Sequence, residues 1–197
     1  MKGAIVREAG GPEAIRVETL PEPRPGAGEV RVRVAYAALN PLDAHARAHR
    51  VPWMHPGFPF TPGFEYAGRV DAVGEAVDEA WIGARVAVNG AWGGNAEFAV
   101  APVTALERVP DGFDWRTAAV YSTCAYTSWL LVHSAARVRP GQFVAIHSAA
   151  GAVGLLTTQV ARSAGATVIA LAGGEHKLEY ARGFGDFHRR SPTGGSP

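Results

Sequence analysis

The sequence predicts an α/β chain in two parts, a β-rich N-terminal portion followed by the opening βαβ unit of a parallel sheet. Three observations carry this. Val30, Val32 and Val34 alternate with Arg31 and Arg33, the period of a strand with one dry and one wet face. Two apolar, β-branched-rich runs, Gln142 to His147 and Val168 to Leu171, enclose a stretch of helical periodicity. The organisation changes from short strands to long helix at Pro110-Asp111-Gly112.

Taken in order, Ala4-Ile5-Val6 and Ile15-Arg16-Val17 flank Gly10-Gly11-Pro12 and read as two short strands joined by a turn. A Pro-rich connector, residues 21 to 28, leads into the alternating valine strand. Asn40-Pro41-Leu42-Asp43 is a turn, with Asp43 placed to cap a short Ala-rich helix carrying His45 and His49. Four prolines between Val51 and Pro62 predict a looped segment. Strands are expected at 69–74, 83–88 and 96–100, which makes a compact β domain. Asp114 reads as the N-cap of a helix-rich segment from Trp115 to His133 with one break. Pro140-Gly141 then opens a buried strand. In the following helix Val153, Leu156, Val160 and Ala164 share one face, and the strand at 168–171 is the parallel partner.

The strand-to-helix turn carries the chemistry. A dinucleotide pyrophosphate is held where backbone N–H groups and the positive end of a helix converge, if no Cβ blocks the approach. Gly151 and Gly154 occupy the second and third glycine positions of G-x-G-x-x-G, and Ala149 replaces the first. The cradle is therefore assigned to Ala150, Gly151, Ala152, Val153 and Gly154. The second strand ends at Ala172-Gly173-Gly174, without the acid that binds a ribose 2′-hydroxyl in NAD enzymes. That absence points to NADPH, with Gly173 and Gly174 beside the cofactor.

Composition sets bounds. The chain of 197 residues is 47% hydrophobic and 19% charged with a net charge of +1, so it can bury a core and has no general charge excess to bind nucleic acid or an anionic membrane. Cys124 is the only cysteine, which rules out an intrachain disulfide and a cysteine-based structural zinc site. No signal-peptide core and no membrane-length apolar run are present, and the expected location is cytoplasmic.

Asn40-Pro41-Leu42-Asp43, Gly63-x-Glu65-x-x-Gly68, Gly83-x-Arg85-Val86, Gly93-Gly94-x-Ala96-Glu97, Pro140-Gly141 and the Ala149–Gly154 turn occur in the order found in medium-chain dehydrogenase/reductases. From Met1 through Asp186 the chain most resembles their zinc-independent branch, the NADPH:quinone reductases related to zeta-crystallin. The resemblance implies a GroES-like substrate domain over 1–112 and a Rossmann dinucleotide-binding domain over 113–186, incomplete in strand number, then an irregular tail over 187–197. It implies hydride transfer from NADPH to a quinone or enone acceptor without metal, and dimerisation is common among such relatives. Phe64 stands where zinc-dependent members carry a histidine ligand.

The resemblance also places Asn40 and Asp43 in the substrate and nicotinamide cleft, although Asn-Pro turn initiation and helix capping account for them as well. His45 occupies the position of a pocket tyrosine and offers a proton donor; with His49 it is equally an exposed pair on a helix, with metal binding as a further alternative. Thr127 matches a threonine near the nicotinamide carboxamide, or is a helix hydroxyl bonded to its own backbone. Lys177 matches a lysine that approaches the 2′-phosphate, or is a solvated surface lysine. Glu65 and Arg85 read as structural, and Cys124 as a small buried residue.

After Asp186 the sequence becomes Gly/Ser/Pro-rich, basic and aperiodic, which reads as a truncation or an out-of-frame ending. A full doubly wound domain has about six strands. The alternatives to an active oxidoreductase are a remnant that binds nucleotide weakly or pairs with another chain, and an inactive fragment.

Overall fold

The computed structural model describes residues 1–184 and the backbone of 188–190. It divides into two compact units, Met1–Ser122 and Thr123–Pro197.

The first unit is antiparallel. Strands β1 (Lys2–Val6) and β2 (Ile15–Thr19) pair across a 3₁₀ turn at Pro12–Ala14, as the Gly-Gly-Pro sequence predicts. The main sheet has the order β6-β3-β4-β5-β7, where β3 is Glu29–Ala37, β4 Glu65–Val73, β5 Arg85–Asn89, β6 Phe98–Pro102 and β7 Leu106–Arg108. Val30 and Val32 are fully buried and pack with Tyr66, Val70, Val86, Val88 and Ala101. The polar partner of this pattern is also resolved: Arg31 donates from Nε and Nη2 to the two oxygens of Asp71, at 2.9 and 3.1 Å. The three-residue β7 is too short to give a periodic signal and was not expected from sequence.

Two helices modify expectation. Helix α1 spans Pro41–Arg47 and its N-cap is Asn40, so Asp43 is not the cap residue but the third helical position. His49 lies beyond the helix, with φ +54°, and the pair expected one turn apart does not share a helix. Asp114 does accept the Thr117 N–H at 2.9 Å at the start of α2 (Trp115–Trp129), whose early residues Ala118 and Ala119 pack on Ala67 and Ala87. The break expected in this segment is a π-turn over Leu130–Ala135.

In the second unit, β8 (Phe143–His147) and β9 (Thr167–Leu171) are parallel and in register, Phe143 opposite Thr167 and His147 opposite Leu171. Between them runs α3 (Ala152–Ser163), and α4 (Glu175–Arg182) follows β9. The core is Val132, Ile146, Ala149, Ala161, Val168, Ala170, Ala172 and Leu178. Two expectations are corrected. β8 is an edge strand with only Ile146 buried, and Phe143 is 71% exposed, so it is not a strand buried on both faces. The most buried stripe of α3 is Gly154, Thr157, Thr158 and Ala161, while Val153, Leu156, Val160 and Ala164 are half-buried. The threonines can enter the core because each hydroxyl donates to the carbonyl four residues back, Val153 at 2.7 Å and Gly154 at 2.8 Å. Of the tail expected to be irregular, His188–Arg190 forms β10, parallel to β9; 185–187 and 191–197 lie outside the described residues.

Candidate functional site

Residues of chemical interest fall in two places. In the first unit, the entry to α1 is tied to the start of β4 by a polar knot. Asn40 has extended backbone (φ −105°, ψ 155°), which turns its N–H toward the helix that follows. Asp43 Oδ2 accepts that N–H at 2.9 Å, and Oδ1 accepts the Gly63 N–H at 2.8 Å. The Asn40 amide donates from Nδ2 to Glu65 Oε2 at 3.0 Å. Asp43 and Glu65 are 7% and 1% exposed, and buried carboxylates persist only when their oxygens are satisfied in this way. Gly63 is required here: its φ is +97° and a Cβ would lie 2.5 Å from the Asn95 nitrogen. Glu65 is thus a buried partner, as its residue type and motif position suggest.

His45 is not part of this knot. It is exposed and lines a separate cleft of about 430 Å³ with Gly10, Gly11, Arg47 and Arg50. Phe64, next to Glu65, packs its ring on Trp92 at 5.0 Å, and Trp92 in turn meets Phe60 at 5.5 Å. Beyond them His55 contacts Phe58, Phe60 and His49. Burial, and then the neighbouring His49, hold the His55 imidazole below its ordinary pKa. Among the described residues no group of three or more His, Cys, Asp or Glu is gathered so as to hold a metal ion.

The second place is the strand-to-helix turn of the second unit. Ser148 leaves β8 with φ +54°, Gly151 N–H bonds back to the Ser148 carbonyl at 2.8 Å, and Ala149 N–H bonds to the Leu171 carbonyl at 3.0 Å. These bonds bend the chain so that Gly151 becomes the N-cap of α3 with no side-chain cap. The N–H groups of the first turn, Ala152, Val153 and Gly154, have no carbonyl four residues back to receive them. A Cβ on Gly154 would lie 2.3 Å from the Ser148 oxygen and 2.8 Å from Ala149 Cα, so this glycine sets how closely α3 approaches the turn. Gly151 is less confined, with the Ser148 oxygen at 3.2 Å from its hypothetical Cβ.

Around this turn opens a cleft of about 520 Å³ lined by Ser148, Ala150, Gly151, Ala172, Gly173, His176, Lys177 and Tyr180. The structure therefore brings Ala150, Gly151, Gly173 and Lys177 into one cleft, with Ala152, Val153 and Gly154 in the helical turn behind it. Nothing lies within 4 Å of a Cβ built on Gly173, whereas one on Gly174 would meet the His176 ring at 3.1 Å. Among the described residues no carboxylate lines the cleft. Ser148, His176 and Tyr180 were missed from sequence. For two of them a signal existed: positions 176 and 180 are one helical turn apart and 177 is adjacent, so they fall on one side of α4. The positive φ of Ser148 has no such signature.

Thr127 is half-buried on α2 and does not line this cleft. Its neighbour Ser128 is fully buried, donates to the Val153 carbonyl at 3.2 Å and lies 3.0 Å from the Thr157 hydroxyl. Ser128 thereby fastens α2 to the first turn of α3, a role that sequence alone did not suggest.

Residues 26–111 match the alcohol dehydrogenase GroES-like domain. A quinone oxidoreductase from Sus scrofa is 35% identical over 179 residues, 89% of this chain and 54% of the relative. One from Pseudomonas aeruginosa is 35% identical over 177 residues, again 89% and 54%. A solved structure of a mycobacterial protein complexed with NADPH superposes with a TM-score of 0.89 at 32% identity, covering 97% of this chain and 58% of that one. The β-rich unit and the βαβ unit with its glycine turn are thus those of an alcohol dehydrogenase-like chain. The chain carries the alcohol dehydrogenase GroES-like domain and is similar to quinone oxidoreductases of the medium-chain dehydrogenase/reductase type. It spans about half the length of the curated relatives it matches.

Proposed function

We propose that the chain carries the substrate domain and the first nucleotide-binding half of an NADPH-dependent oxidoreductase that reduces a quinone or enone-type acceptor without zinc. The observation that supports this best is the cleft at the α3 turn, which combines a helix start without a side-chain cap, a glycine floor and Lys177, with no lining carboxylate among the described residues. Bound there, NADPH supplies a hydride. The chain's own contribution is placement. The first turn of α3 directs N–H groups and the positive end of the helix at the pyrophosphate. Lys177 favours a 2′-phosphate over a bare hydroxyl, since its ammonium attracts the added negative charge and residues 172–174 supply no acid to repel it.

In the first unit, Asn40 and Asp43 give the acceptor side a fixed backbone shape through their bonds to Glu65 and Gly63. Reduction of a quinone or enone also consumes a proton, for which the exposed His45 side chain is the candidate donor. Phe64, held against Trp92, offers an apolar ring where zinc-dependent relatives need a ligand, and this supports the zinc-free reading.

The test has two arms. Titration with NADPH and NADH, read by tryptophan fluorescence, should show preference for NADPH, and Lys177→Ala should weaken NADPH about tenfold while leaving NADH unchanged. Equal affinity for the two cofactors would overturn the cofactor assignment. Loss of NADPH absorbance with a small quinone tests turnover; a rate no greater than that of a protein-free blank would reduce the function to nucleotide binding.

A further inference from the structure

A further cleft, of about 530 Å³, opens in the first unit where β4, β5 and β7 lie side by side, lined by Arg69, Gly83, Arg85, Arg108, Val109 and Asp111 among others. Its charge is unbalanced by construction. Arg69 stands opposite Arg85 in the β4–β5 register and opposite Arg33 in the β3–β4 register. Like charges directly across a pair of strands destabilise a sheet; Asp71, 4.0 Å from Arg33 Nη2, offsets Arg33, which leaves Arg69 and Arg85 to be compensated. Among the described residues none of Arg69, Arg85 and Arg108 forms an ion pair, and Asp111, the carboxylate in the lining, forms none either.

What the guanidinium groups do contact orients them without neutralising them. Arg69 Nη1 donates to the Gly83 carbonyl at 2.8 Å, and Arg85 Nη2 to the Phe113 carbonyl. Arg85 stacks over Trp115, 3.7 Å from the ring centroid, and Arg108 over Trp81 at 4.2 Å. Stacking holds the plane of a guanidinium and leaves its N–H edge available. Arg85 Nε is shut off from solvent and has no hydrogen-bond partner.

We propose that this cleft binds a small oxyanion of the diphosphate class, at a site separate from the nucleotide cleft of the second unit. Diphosphate matches the observations on three counts. Its oxygens accept the forked donors of arginine bidentately, its multiple charges offset several guanidiniums at once, and it fits the available volume. A neutral or apolar ligand would leave the arginine row uncompensated.

The stacked rings make the site self-reporting, since Trp81 and Trp115 fluoresce. The experiment titrates the full chain with inorganic pyrophosphate at ionic strength fixed with KCl, reading tryptophan fluorescence and melting temperature. The wild type should show a saturable fluorescence change and a rise in Tm. Arg69→Gln with Arg108→Gln removes two exposed guanidiniums and should weaken binding at least about tenfold, since each charge-assisted bond contributes about that factor. Arg108→Gln alone should give an intermediate loss, and circular dichroism of both variants should match wild type. Lys177→Glu should leave the signal in place.

Four results would each overturn the assignment. The fluorescence change fails to exceed that of KCl alone; it survives the double substitution with unchanged affinity; it disappears in Lys177→Glu, which would put the anion in the nucleotide cleft; or a short single-stranded oligonucleotide binds more tightly than pyrophosphate, which would make the surface one for an extended polyanion.

Discussion

The polar knot at Asn40 and the turn at Gly151 solve opposite problems. In the knot, side chains satisfy backbone: the Asp43 carboxylate takes two N–H groups, and Glu65 takes the Asn40 amide. In the turn, side chains are withdrawn so that backbone stays open to a ligand, and Gly151 caps α3 without a side-chain hydrogen bond. The first is vulnerable to losing atoms and the second to gaining them. The difference shows that buried polarity fixes shape, whereas unspent polarity at a surface cleft is what a ligand can use.

Gly154→Val should give the largest effect if this contrast holds. Its first added carbon alone would sit 2.3 Å from the Ser148 oxygen, and backbone on both sides leaves little room to relax, so chemical denaturation should show a loss of about 3 kcal/mol. A loss below about 1 kcal/mol would mean that the turn accommodates side chains after all. Asp43→Ala comes next. It strands the N–H groups of Asn40 and Gly63, and the expected cost is about 2 kcal/mol in the same measurement, with Asp43→Asn intermediate. If Asp43→Ala were neutral, the knot would not be what fixes the entry to α1.

Smaller still in stability is Lys177→Ala, which lines an open cleft and should leave Tm unchanged while reducing NADPH discrimination about tenfold. A fall in Tm comparable to that of Asp43→Ala would erase the distinction between the two regions. The smallest expected effect is a pH dependence in the aromatic cluster. Because the folded His55 value is lowered by burial and by His49, its contribution to stability is present above about pH 6.5, the unfolded value, and is lost as pH falls through the folded value. Melts at pH 7.5 and 5 should therefore differ more for wild type than for His55→Phe; an equal difference would remove His55 as the cause.

Much of the fold is legible because the relevant signals are local. Alternating Val30 and Val32 fix the face of β3, and the order strand, glycine turn, helix, strand specifies a βαβ unit before any contact is known. The misassignments share a physical origin. Asp43 was expected as a cap because a carboxylate at a helix start has two local uses, and only the position of Gly63, twenty residues away, decides for the third helical position. The buried stripe of α3 was misread because Thr157 and Thr158 appear polar until their hydroxyls are seen returning to the carbonyls of Val153 and Gly154. The exposure of Phe143 depends on β8 lying at the sheet edge, a matter of topology and not of residue type.

By itself, then, the sequence determined the strand periods, the glycine spacing of the turn and the absence of an acid at 172–174, all of which act over a few residues of chain. The tertiary structure alone decided which groups meet: Asn40 with Glu65, Ser148 with Gly173 and Lys177, and Arg69 with Arg85 and Arg108. Those groupings depend on strand register and helix placement, which sum many weak contacts across distant segments, and no short window of residues encodes that sum.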